Sequence, residues 1–149
     1  MKKLYLLLGV FFLFGFSAGD PYIRLKAIRI EPLGPDKCSV ALELHNDAYH
    51  KINFLSMYCS DSGFYVTDNP NVKVIPKPCG KNFPTSVPIA RNSYRNTKVE
   101  LAMAKGSKEA KFRIGFKYIE IPDNARLATF DSSSVGSVTI WSNEIAFKR

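Results

Sequence analysis

From residue 22 onward, apolar and polar side chains alternate with a period of two, and this alternation restricts the chain to half-buried β-strands more than any other feature. Successive side chains of a strand point to opposite faces, so such alternation gives one face to a core and the other to water. Residues 111–121 show it most clearly. Phe112, Ile114, Phe116 and Tyr118 share one face, and Lys111, Arg113, Gly115 and Lys117 share the other. Cys38, Val40, Leu42 and Leu44 line a second strand, opposite Ser39, Ala41, Glu43 and His45. Further strands are predicted at 22–31, 52–59, 72–75, 99–103 and 138–147. Gly106 and Ser107 interrupt the one stretch, 102–110, that has any helical spacing.

About seven short strands separated by Pro, Gly and Asn argue for an all-β antiparallel sandwich. The four prolines between 76 and 96 predict an extended connection holding at most one edge strand, and 122–136 reads as a second long loop. Strand count, and phrases such as Leu42-Glu43-Leu44-His45-Asn46-Asp47 in which a strand ends in an Asn-Asp turn, carry a resemblance. The chain resembles the immunoglobulin-like sandwich domains of small secreted bacterial proteins, over most of 22–147. The antibody pattern of Cys, Trp and Cys across two sheets is absent, since Trp141 lies C-terminal of every cysteine.

The first 19 residues read as a cleaved secretory leader: Lys2 and Lys3, an apolar run from 4 to 16, then Ser17, Ala18 and Gly19. The run is shorter than the ~20 residues that span a bilayer. A secreted or periplasmic protein is expected, with residues 20–149 as one domain. The formal charge of +8 is uneven. Between 91 and 117, eight basic residues (Arg91, Arg95, Lys98, Lys105, Lys108, Lys111, Arg113, Lys117) face only Glu100 and Glu109.

Three cysteines in an oxidising compartment imply one bridge and one thiol. Cys59 with Cys79 is the favoured pair, because it pins a Pro-rich connection and leaves Cys38 on a core face. Cys38 with Cys59 is the rival, and it requires a hairpin centred on 47–51. No Cys-x-x-Cys or zinc-ligand spacing is present.

Chemistry-bearing clusters are few. His45, Asp47 and His50 flank a turn, and Asn-Asp is itself turn chemistry. Asp61, Asp68, Asn69 and Asn71 are oxygen-rich but do not follow an EF-hand order. Asp131 to Ser134 is a flexible loop by composition. Neither a nucleophile elbow nor a phosphate-binding glycine motif occurs. No enzyme activity, metal or cofactor is therefore expected. Two surfaces are candidates for binding. Lys111, Arg113 and Lys117 form a basic stripe suited to an acidic protein or an anionic envelope component. The stripe lacks interleaved aromatics on its face, which argues against nucleic acid. The loop 60–83 carries Phe64, Tyr65 and Phe83 beside the favoured disulfide, as an aromatic tip or as a lid folded back onto the strands. The reading is a non-enzymatic interaction module. The alternative is a small inhibitor or immunity-type protein acting through the stapled loop.

Overall fold

The computed structural model describes residues 22–107, 109–123, 125–127 and 136–148. The leader, Lys108 and the serine loop 131–134 lie outside them. Among the described residues the chain is all-β and antiparallel, with no α-helix. The eleven strands among them are β1 Ile23–Gly34, β2 Lys37–Asn46, β3 Ile52–Met57, β4 Tyr65–Thr67, β5 Val72–Val74, β6 Pro84–Ile89, β7 Ser93–Met103, β8 Glu109–Phe112, β9 Ile114–Tyr118, β10 Val138–Trp141 and β11 Ile145–Lys148. They form four small sheets, ordered β1-β2-β7-β5, β10-β9-β4, β11-β8 and β3-β6.

The count exceeds the expected seven because long strands break and a short one is added. Residues 109–118 run as one strand until Arg113, where the Asp68 carboxylate takes the backbone N–H at 2.7 Å. Opposite, Ser142 accepts from the Ile114 N–H through Oγ at 3.0 Å, which splits the partner into β10 and β11. Asn143, at that kink, accepts from the Ala27 N–H of β1 at 2.8 Å. β4 has no alternation long enough to read, and β6 is the edge strand of the Pro-rich connection, with Pro84 and Pro88 in it. In β1 the register slips between Ala27 and Arg29, leaving Ile28 as a bulge residue.

The hairpin that the Cys38–Cys59 rival required does not form. β2 pairs with β1 and β7, whereas β3 pairs with β6. The physical reason lies in Asn46, which is 0% exposed. Its side-chain amide donates to the carbonyls of His50 (2.9 Å), Ile89 (3.0 Å) and Ala90 (3.2 Å). Its Oδ1 accepts from the Ala48 N–H at 2.9 Å. Those bonds turn the chain into another sheet instead of folding it back on β2. The alternating apolar positions of the sheets meet in one cluster of buried residues. At its centre, Phe116 packs edge-on against Phe54 at 5.5 Å and against Tyr65 at 5.1 Å.

Candidate functional site

The Cys59–Cys79 bridge is present, with the two Cα atoms 6.0 Å apart, and Cys38 is a buried free thiol. Burial pushes that thiol up to about 11, so little thiolate is available at neutral pH. The bridge sits where β3 ends and the connection from β5 to β6 passes. Asn82 reinforces it. Its Oδ1 accepts from the N–H groups of Cys59 (3.2 Å) and Ser60 (3.3 Å), and its Nδ2 donates to the Ser60 carbonyl (2.9 Å).

This stapled end presents an aromatic pair. Tyr58 and Phe83 stack with centroids 4.6 Å apart and planes 12° from parallel. They are 70% and 52% exposed. The Tyr58 N–H donates to the Phe83 carbonyl at 3.0 Å, so backbone and disulfide together set the rings. The other aromatics of the loop behave as a lid. Tyr65 is 7% exposed, and its hydroxyl, pushed up by burial, donates to Thr97 at 3.4 Å. Phe64 packs against the core beside Phe116. Tyr65 begins β4, whose pairing with β9 turns the ring inward; only Phe83 keeps the exposure that the aromatic-tip reading gave all three. Tyr58 was missed, because it stands at a strand end whose direction no periodicity specifies.

The basic strand is more compensated than its sequence suggests. Asp68 accepts from both the backbone and the Nε of Arg113, at 2.7 and 2.8 Å. Those hydrogen bonds hold the Asp68 carboxyl below the usual carboxylate range. Lys111 lies 3.8 Å from Glu144. Lys117 is exposed and has no acidic partner among the described residues. The space over Gly115, between the cations of the stripe, is filled. Gly115 pairs with Trp141, and a Cβ at Gly115 would lie 2.9 Å from the indole ring. The Arg113 guanidinium stands 5.4 Å above that ring. An aromatic side chain does therefore share the basic face, supplied by the neighbouring strand, where the sequence showed none.

The histidine turn is a corner. His45 bonds to Glu43 at 2.8 Å and its ring lies 5.3 Å from that of Tyr94, tilted by 30°, while Asp47 pairs with Arg24. Arg24 holds the Asp47 carboxyl below its ordinary range. No group of three or more His, Cys, Asp or Glu residues suited to a metal occurs among the described residues. Asn69 and Asp68 of the oxygen-rich segment act as turn acceptors, for Asn71 N–H at 2.9 Å and for Arg113.

No described helix is long and apolar enough to cross a membrane, and the disulfide fits an oxidising environment. No protein-family model matches the chain, and no curated protein matches it. Among solved structures, a protein from Archaeoglobus fulgidus is similar at 12% identity and a TM-score of 0.39, over 85% of this chain and 97% of the other.

Proposed function

We propose that this protein is a secreted or periplasmic, non-enzymatic module that binds another protein through its disulfide-pinned end. We further propose that the small sheets form an immunoglobulin-like sandwich, a reading supported by the single buried cluster they share. The leader and the disulfide support an extracytoplasmic location.

One observation carries the functional reading: the stacked, exposed Tyr58–Phe83 pair. Tyr and Phe are costly to leave in water, and aromatic anchors dominate binding energy at interfaces. Here the rings are ordered before binding, by the disulfide, by Asn82 and by each other, so little side-chain entropy is left to lose on association. The same rigidity favours the inhibitor form of the reading, a preformed wedge for another protein's cleft. The basic strand is the weaker surface, because Asp68 and Glu144 already answer two of its three cations.

The test is affinity capture from envelope and secreted fractions. The native protein is compared with a Tyr58→Ser/Phe83→Ser variant and a Lys111→Ala/Arg113→Ala/Lys117→Ala variant. A partner lost only by the first variant supports the proposal. A partner lost only by the second moves the interface to the basic strand. Loss of a turnover activity on replacing His45, Asp47 or His50 in a folded protein would sink the non-enzymatic reading.

A further inference from the structure

β5 stops at Val74, although nothing in its register with β7 ends there. In an antiparallel ladder the backbone groups of alternate residues face opposite edges. Ala104 N–H donates to the Asn71 carbonyl and Ile75 N–H to the Glu100 carbonyl, both at 2.8 Å. Odd-numbered residues on the β5 side therefore face β7, and even-numbered residues of β7 face β5. The register pairs Val72 with Met103, Lys73 with Ala102 and Val74 with Leu101. Continued without a shift, it sets Lys77 opposite Lys98 and Cys79 opposite Asn96. Both residues of the connection would face β7 with an N–H to give. Pro76 and Pro78, which have none, fall on the outward positions, where an edge strand tolerates proline. The segment 76–79 has the proline pattern of an edge strand, yet it is not a strand in this structure.

The bridge holds it elsewhere. Cys79 is bonded to Cys59, just past β3 in another sheet. The Lys77 N–H that would serve Lys98 donates to Ser62 Oγ at 3.4 Å instead. A cavity of about 350 Å³, with Tyr65, Ile75, Pro76, Pro78 and Val99 in its lining, lies between the connection and β7. The connection thus has room to move toward the edge. In each of the pairs 77–98 and 79–96 the two residues would exchange both N–H···O bonds, in place of the one long bond to Ser62. Lys77 would stand opposite Lys98, whose charge Glu31 already holds at 3.0 Å, and diagonal to Glu100.

We propose that the Cys59–Cys79 bridge is a redox latch on the β7 edge. With the bridge closed, the edge from Tyr94 to Lys98 is open; on reduction, residues 76–79 extend β5 along β7 and cover it. The co-reactant is a dithiol. Its thiolate attacks one sulfur of the bridge, and the other sulfur leaves as a thiolate and takes a proton. The second thiol of the reductant then resolves the mixed disulfide, so the bridge takes up a pair of electrons and the dithiol becomes a disulfide. Cys59 and Cys79 are half-buried between exposed Tyr58, Pro78 and Gly80, within reach of a small dithiol, whereas Cys38 is sealed in the core. Where thiol–disulfide exchange operates, the redox state then sets whether this edge is free to pair with another chain. The latch does not rest on the Tyr58–Phe83 reading.

The test is amide exchange of the full protein, followed residue by residue before and after treatment with dithiothreitol. Exchange at Asn96 and Lys98 should be fast in the bridged form and about tenfold or more slower in the reduced one, with Lys77 and Cys79 gaining protection alongside. Cys59→Ser/Cys79→Ser should behave as the reduced protein with no reductant present. Adding Lys77→Pro to that variant removes an N–H that faces β7 and should return Asn96 and Lys98 to fast exchange. An unreactive Cys38 and unchanged Trp141 emission report that the rest of the fold persists. Slow exchange at Asn96 and Lys98 in the bridged form, no change on reduction, or protection that survives Lys77→Pro would each overturn the proposal. General loss of protection on reduction, with Cys38 becoming reactive, would make the bridge a staple of the fold and overturn the latch as well.

Discussion

Asn46→Asp exchanges an amide for a carboxyl of the same shape at a site with no solvent. The native amide has two hydrogens, and three carbonyl oxygens lie within 3.2 Å of its nitrogen. An ionised carboxylate keeps the bond from the Ala48 N–H but turns its second oxygen toward those carbonyls, where no hydrogen is left to share. Buried carbonyls that lose a donor cost about 1–3 kcal/mol, and an uncompensated buried charge about 3–5 kcal/mol. The expected loss at neutral pH is therefore about 3–5 kcal/mol, a large share of the ~5–15 kcal/mol of an ordinary domain. The introduced carboxyl has its folded pKa raised, since burial and carbonyl oxygens both penalise the anion. A raised folded pKa means that stability is fully present below the unfolded value, about 3.9, and is lost as pH rises through the folded value. Between those limits the variant should lose about 1.4 kcal/mol per pH unit relative to the native protein. Urea unfolding of native, Asn46→Asp and Asn46→Ala proteins from about pH 4 to 8 reads this directly, and the alanine variant should lose about 2–3 kcal/mol with no such slope. If Asn46→Asp lies within about 0.5 kcal/mol of native at pH 7, or if the two variants share one pH profile, Asn46 is not the clamp of the corner.

Three other outcomes follow from the same geometry. Asp68 is held ionised by the Arg113 N–H groups, so its contribution is present above about pH 3.9 and disappears as pH falls through its lower folded value; Asp68→Ala should lower Tm near neutrality, with the native and variant curves meeting in strong acid. The buried Cys38 thiol should react with a disulfide reagent only as fast as the protein unfolds, and rapid one-to-one labelling of the folded protein would contradict its placement. Gly115→Ala puts a methyl 2.7 Å from Thr139 Cγ2 and 2.9 Å from the Trp141 ring. The expected cost is about 1–3 kcal/mol, with a shift in the emission of the sole tryptophan; unchanged stability and emission would show that the indole does not lie over this glycine.

Legibility followed the length of the pattern. β2 and the strand over 111–121 carry four or more alternations, and the buried residues Val40, Leu42, Phe112, Ile114 and Phe116 fall where alternation put them. β4 is three residues long and is held by pairing to β9, a partner about fifty residues away, so nothing local announces it. The candidate site was half legible. The disulfide came from counting cysteines and from the core face of Cys38. Phe83 was named for its exposure, but Tyr58 was not, and Tyr65 proved to be core. An aromatic ring is equally at home in a core or at a tip, and the choice depends on which strand arrives beside it.

Local chemistry alone therefore determined the β character of this protein, its buried faces, its turn residues and the cysteine left without a partner. Those properties depend on side-chain period and composition within a few residues. Tertiary structure alone decided which strands pair, that Asn46 turns the chain into another sheet, that Trp141 covers Gly115, that Asp68 neutralises Arg113, and that the Cys59–Cys79 bridge ties the connection after β5 to the end of β3. Each of those is a meeting of residues far apart in the chain, and its free energy exists only once the chain has brought them together.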